Sequence, residues 1–362
     1  MVTDKTETLP GAGVYISGYK IATVSDNDGK FFIPNLRPGS YDILVQMMGY
    51  LPLSKNIVIT DKSVVVELKL IENKQMLREV VIKPNPNRPF YVDLFTEFFI
   101  GRTPNADRCK ILNTDALLID EDIQNRTVTI KASDFLVIEN RALGYRIKYL
   151  LEQFEYNFAT KNLFYAGYPT FEEIKGSNSE QKGWLKNREV AYRGSAQHFF
   201  AALYQNNIDE EGFIINKRYE APNPKRLPDS VIKKLSFPEL LKQEKEPKIL
   251  TLLDNAKVPV DTLVKKFNNS LKMISFKDEL FVSYKNEQEL PAYVNSSYYQ
   301  HRPKALENYQ LSTIKMLRSP ILFYANGMVA DPNSTLFSGY WSYEKMADAV
   351  PIDYLTEGKK AY

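Results

Sequence analysis

The sequence predicts a mainly β protein: a small N-terminal β sandwich followed by a larger α+β region with antiparallel sheet. Three observations carry that expectation. Residues 10–50 alternate short apolar runs with turn residues, and short strands set about eight to twelve residues apart mark a sandwich or barrel. Residues 116–166 repeat the alternation at greater length. Aromatic residues make up 12% of the chain, with 23 Tyr and 20 Phe, and flat rings pack well on pleated surfaces.

In the first segment each turn has a mechanism. Pro10-Gly11 opens the run, Asp26-Asn27-Asp28-Gly29 divides two strand-like pieces, and Arg37-Pro38-Gly39-Ser40 divides the next two. These residues tolerate positive φ or preset φ near about −65°. Val14 and Ile16 share a face, Phe32 points away from Phe31 and Ile33, and Tyr41, Ile43 and Val45 oppose Asp42 and Leu44. Ile57, Val58 and Ile59 form a further strand, and Val64, Val66, Leu68 and Leu70 another in period two. The sandwich is expected over residues 1–72. A Pro-containing linker follows over 73–90, with one strand-like piece at Val80 to Ile82, and residues 91–362 form the α+β domain.

The ordered set Pro10 to Val14, Thr23 to Phe31, Ile33 to Gly39 and Tyr41 to Tyr50 resembles the carboxypeptidase regulatory-like domain, over residues 2–72. The resemblance implies a seven-stranded prealbumin-like sandwich that carries no catalytic residue. Such modules are accessories, found after the peptidase domain of metallocarboxypeptidases and at the N terminus of many Gram-negative envelope proteins. Of the family's opening Gly-x-Val-x-Asp only Val2, Thr3 and Asp4 are present, so the first strand is expected to be clipped and an export signal to lie upstream. Leu77, Glu79, Val80 and Val81 resemble the lead-in to the barrel of outer-membrane receptors. The roughly 270 residues that follow are too few for a barrel of about 22 strands at nine to eleven residues per span. The expected location is the cell envelope, periplasmic or outer-membrane associated.

The 47 basic and 44 acidic residues leave a net charge of +3, too weak a field to gather nucleic acid. Cys109 is alone, which excludes an internal disulfide and a cysteine-rich metal site. No apolar run approaches the length of a bilayer-spanning helix, so no transmembrane segment is expected.

In the larger region, Asp93 is expected to cap a helix over Leu94 to Ile100, and strand-like pieces follow at 116–119, 126–132, 135–139, 146–158 and 163–166. Within 146–158, Ile147, Tyr149 and Leu151 keep one parity and Phe154, Tyr156 and Phe158 the other, which predicts a bulge near Glu152. Thr170 with Glu173 reads as a capping box for a brief helix, Glu189 to Asn206 as a longer helix, and Ser236 with Glu239 as a second capping pair. Strands are expected at 272–276 and 280–284, a type I′ hairpin at Asn326-Gly327, and a closing helix at Tyr343 to Ala349.

No catalytic set is complete. The two histidines, His198 and His301, lack the spacing of a zinc peptidase, and His198 reads as a satisfied core or interface histidine. A Cys109–His198 pair has no orienting partner, so Cys109 reads as buried and inert. Ser179 to Lys182 and Ser230 to Lys233 match the spacing of penicillin-recognising enzymes without the accompanying motifs. Asp26-Asn27-Asp28-Gly29 lacks the distal acid of a calcium loop and reads as a turn, and the neighbouring acids Glu172-Glu173 and Asp209-Glu210-Glu211 read as solvated surface. The preferred binding candidate is the aromatic and basic cluster Tyr293, Tyr298, Tyr299, His301 and Arg302, whose rings could stack a carbohydrate or peptide ligand. The expected function is a non-enzymatic cell-envelope protein for a ligand or protein partner, with no cofactor and no metal. An envelope hydrolase with its site in residues 91–362 is the alternative.

Overall fold

The computed structural model describes residues 1–5, 7–60, 62–73, 86–296 and 306–354. The chain forms two compact units, one built from residues up to Ser195 and again from Tyr343, the other from Ala196–Ser342. Residues 91–362 therefore contribute to both. Val80 to Ile82 lie outside the described residues.

The first unit opens with the sandwich: β1 (Val2–Thr3), β2 (Gly13–Ile16), β3 (Ala22–Val24), β4 (Gly39–Gln46), β5 (Leu53–Ile59) and β6 (Leu68–Lys69). One antiparallel sheet runs β3-β2-β4-β5, and β1 pairs with β6 in parallel. Val2, Val14, Ile16, Ile43, Val45 and Leu68 fill the space between them. The described strands number six rather than the seven expected. Residues 30–38 make no ladder, and Pro34 and Pro38 have no N–H to give one. Phe31 and Ile33 still pack inward while Phe32 stays exposed. The preceding turn is as read from sequence: Gly29 sits at φ 70°, and one Asp26 carboxylate oxygen accepts the backbone N–H of Asp28 and of Lys30, at 3.0 and 2.8 Å.

Next come α1 (Arg88–Ile100), β7 (Cys109–Ile111), β8 (Leu117–Asp122), β9 (Thr127–Ala132), β10 (Leu136–Asn140), β11 (Tyr145–Asn157), β12 (Leu163–Glu173) and α2 (Asn178–Tyr192). β12 runs along one edge of β11, while β10 and β9 share the other edge. The expected bulge is present, with the register shifting between Leu151 and Gln153. It keeps Tyr149, Leu151 and then Phe154 in the core shared with α1, where Phe95 meets Phe154 at 4.9 Å and Phe99 meets Tyr149 at 4.8 Å between ring centroids.

Four expected boundaries move. α1 starts at Arg88, because Pro89 in its first turn needs no hydrogen-bond acceptor and presets φ; Asp93 is interior. Thr170 and Glu173 belong to β12, whose pairing with β11 runs through Glu173. The capping box is instead Ser177 with Glu180. Gly194, at φ 74°, separates α2 from α3 (Ala196–Gln205), so Glu189 to Asn206 is not one helix. The closing segment is a turn of helix, α8 (Tyr340–Tyr343), and a 3-10 turn over Met346–Asp348, because Asp348 is drawn into hydrogen bonds from Thr103 and Asn105, each 2.9 Å.

The sandwich packs against the face of β11 and β12 turned away from α1. Tyr15 and Leu44 meet Phe135, Leu150 and Tyr168, Lys148 donates to the Tyr15 hydroxyl at 2.8 Å, and Gln46 donates to Asp134 at 2.8 Å. At Gly18 the backbone N–H reaches Pro169 O at 2.6 Å while its carbonyl accepts from Ile352 at 2.7 Å.

The second unit adds β13 (Phe213–Pro222), α4 (Asp229–Ile232), α5 (Phe237–Lys245), β14 (Ile249–Lys257), α6 (Val260–Leu263), β15 (Val264–Lys266), β16 (Leu271–Ile274), β17 (Glu279–Tyr284), α7 (Pro291–Val294), β18 (Gln310–Met316), β19 (Ile321–Tyr324) and β20 (Thr335–Gly339). Its main antiparallel sheet is ordered β14-β13-β17-β18-β20, beside a small sheet β15-β16-β19. Phe199, Phe200 and Leu203 of α3 bury against Phe213, Phe323 and Trp341. The Asn326-Gly327 turn forms, yet only Gly327 has positive φ, so it is not the expected type I′ pair. A Cβ on Gly327 would stand 1.9 Å from Gln197 O, so close approach to α3 sets the turn.

Three glycines grade the packing. Gly11 and Gly18 share φ +79°, but a Cβ meets nothing within 4 Å at Gly11 and Ile352 Cδ1 at 2.0 Å at Gly18; at Gly29 it meets Val2 O at 2.6 Å. Gly11→Ala should cost about 1 kcal/mol of stability, and Gly18→Ala and Gly29→Ala about 2–3 kcal/mol. Equal losses in denaturant melts across the series would contradict the close approach of Gly18 to Ile352.

Candidate functional site

Of the aromatic and basic cluster, Tyr293 is described. It sits on α7, buried, with its ring edge-on to Tyr340 at 5.3 Å between centroids. Tyr298, Tyr299, His301 and Arg302 lie outside the described residues. A few residues earlier in the chain, the structure brings two acids to the start of β18 in a way that sequence spacing does not single out. Glu289 is buried and accepts the Leu311 N–H at 2.9 Å. Burial pushes the Glu287 carboxyl up to about 7, against the opposing hydrogen bond from the Gln310 side chain. Gln310 is itself buried, and its Oε1 has no hydrogen-bond partner among the described residues.

The other candidates are held in structural contacts. His198 is enclosed, 3.0 Å from Glu211 Oε2, with Phe213 and Tyr284 edge-on at 5.0 and 5.9 Å. Cys109 is buried in the first unit, and burial followed by the charge of Asp348 pushes its thiol up to about 12; such a thiol is a poor nucleophile near neutral pH. Glu172 and Glu173 are strand neighbours rather than helix neighbours and so point to opposite faces, one to Lys148 at 3.0 Å, the other to Lys20 at 3.1 Å and Arg188 at 3.3 Å. Ser179, Lys182, Ser230 and Lys233 are all exposed. Among the described residues no group of three or more His, Cys, Asp or Glu is placed to hold a metal ion.

Among the described residues of the second unit, the most exposed large apolar side chain, Phe237, lies on an arm. β13 pairs with β17 only as far as Arg218↔Glu279. Beyond that point β13 and β14 continue alone, from Tyr219↔Leu252 to Pro222↔Ile249, and α4 and α5 close the far end. Asn223 anchors the end by donating to Glu246 Oε2 and Pro247 O, both 3.0 Å, and Arg226 donates to the carbonyls of Gln243 and Glu246, both 2.7 Å. α5 begins with the expected Ser236/Glu239 box and buries none of its residues. Phe237 is 71% exposed and Ile249 55%, and Tyr219, Val231, Leu241 and Leu252 are exposed with them.

Residues 1–82 match the family model of the CarboxypepD_reg-like domain. The N-terminal sandwich is a CarboxypepD_reg-like domain. The match spans 82 of 362 residues, so it speaks for the sandwich and the segment after it. No curated protein matches the chain.

The Glu287 environment sets a sign. Its carboxyl holds a proton more tightly folded, to about 7, than unfolded, so the stability it contributes is complete below about pH 4.5 and is lost as pH rises through about 7. Glu287→Gln should therefore stabilise the protein by on the order of 1 kcal/mol at about pH 8 and leave it unchanged at about pH 4. A pH-independent difference in melting temperature would contradict the assigned burial.

Proposed function

We propose that this chain is a non-enzymatic cell-envelope protein whose CarboxypepD_reg-like domain serves as an accessory module and whose arm engages a protein partner. The exposed apolar groups of the arm carry the reading. Phe237 and Leu241 are spaced one helical turn apart on α5, and Tyr219 and Leu252 lie directly opposite on one face of the ribbon. Large aromatic and aliphatic groups held in water on an ordered scaffold are the common anchors of protein interfaces. The N-terminal family, whose resemblance is to envelope accessory modules, supports the location. The alternative of an envelope hydrolase draws no support from the buried, protonated thiol of Cys109.

The test is site-specific photo-crosslinking in the native cell, with the crosslinker at Phe237 and, for comparison, at the exposed Leu118 of the first unit. One protein captured from position 237, whose affinity for the purified chain falls about tenfold or more with Phe237→Asp while the melting temperature holds, is the expected result. Equal capture from both positions would defeat the reading. Recovery of the native protein in the cytosol would remove the envelope assignment.

A further inference from the structure

We propose that the first unit carries a binding site for an organic carboxylate at the end of α1, formed by the Lys345 ammonium and the side chains of Tyr165 and Tyr149. The lysine is brought there by the return of the chain. Gly101 ends α1 at φ +104°, and a Cβ at that position would stand 3.0 Å from the Lys345 Cβ and 3.3 Å from its Cγ. The close approach lays the lysine stem against the helix end and its Nζ over the Tyr165 ring, 5.6 Å from the centroid. Phe99 fixes the two tyrosines about itself, with Tyr149 edge-on at 4.8 Å and Tyr165 edge-on at 5.5 Å.

Among the described residues the ammonium has no carboxylate partner. Among the described residues no ion pair or hydrogen bond is made by its Nζ, whereas Lys20, Lys148, Lys248 and Lys257 each meet an acid. Burial pulls the lysine down to about 8, and burial also pushes the Tyr165 hydroxyl up to about 12. The two phenols therefore stay protonated and are donors. A cation, two hydroxyl donors and an aromatic wall suit a ligand with a carboxylate at one end and an apolar or aromatic body. A lysine that served only to cap the carbonyls at the end of α1 would donate to them, and this Nζ does not. Gly167 shapes the floor, since a Cβ there would meet Tyr149 Cε1 at 2.4 Å.

Ligand-observed NMR with benzoate, and with benzamide as its neutral isostere, tests the site on the full chain. Benzoate should bind and benzamide should not. Lys345→Met should weaken benzoate by about tenfold or more, and Tyr165→Phe by several-fold. Lys345→Met should also melt no lower than the parent, because it removes a desolvated charge that has no ion-pair partner among the described residues. A lower melting temperature for Lys345→Met would assign the lysine a structural role and overturn the site. Benzoate binding that survives Lys345→Met, binding equal to that of inorganic phosphate, or no benzoate binding by the parent would overturn it as well.

Discussion

The first unit depends on one antiparallel pair, β11 with β12, being covered on both faces. Toward α1 the pair offers Tyr149, Leu151 and Phe154; toward the sandwich it offers Leu150 and Tyr168. A strand's side chains alternate strictly, so without an extra residue the apolar set after Leu151 would turn to the other face. The bulge at Glu152 absorbs that change of parity. Thirteen residues of β11 can then run through two packing environments, and the same hairpin can serve as the floor of a helix core and the seat of a second domain.

That seat explains an otherwise odd feature of the sandwich. Tyr15 and Leu44 alternate with the inward residues of β2 and β4 and would be solvent-facing in an isolated module, yet both are buried. They are large and apolar because residues of the following sheet cover them. The polar contacts around this patch, Lys148 to Tyr15 and Gln46 to Asp134, fix orientation more than they add stability. The CarboxypepD_reg-like domain in this chain is thus joined to its neighbour by packing as well as by sequence, and the surface left for other contacts lies around Val24, Phe32, Met48 and Val58, all exposed.

The legible parts of the sequence were those with local causes. Asp26 to Gly29 encode their turn through one carboxylate and one positive φ, and the parity slip around Glu152 is written in the order of apolar residues. Boundary errors arose where two local signals competed. Thr170 to Glu173 and Ser177 to Glu180 have the same capping pattern, but only long-range pairing with β11 tells that the first is strand. Gly194 inside an otherwise periodic run gave no weight to its left-handed φ. The surroundings of Lys345 were illegible for a different reason: nothing in Glu344-Lys345-Met346 announces that Gly101 and Tyr165 will stand beside it, because those neighbours come from a helix end and a strand distant in the chain.

The arm raises an energetic question whose answer bears on its role. A two-stranded ribbon is marginal alone, so residues 219–222 and 249–252 need support beyond their own ladder. Part of that support is apolar, since Ile232 of α4 is buried, and part is polar and local: Asn223 and Arg226 tie the ends of α4 and α5 to backbone carbonyls, and Lys248 reaches Asp229 at 2.7 Å. With Ile232 and that network holding the shape, Phe237, Leu241 and Ile249 stay exposed. A surface that merely needed to be soluble would replace them with polar groups at no loss to the network. Exposed apolar groups that take no part in the polar network are better explained by the partner contact proposed above than by the arm's own stability.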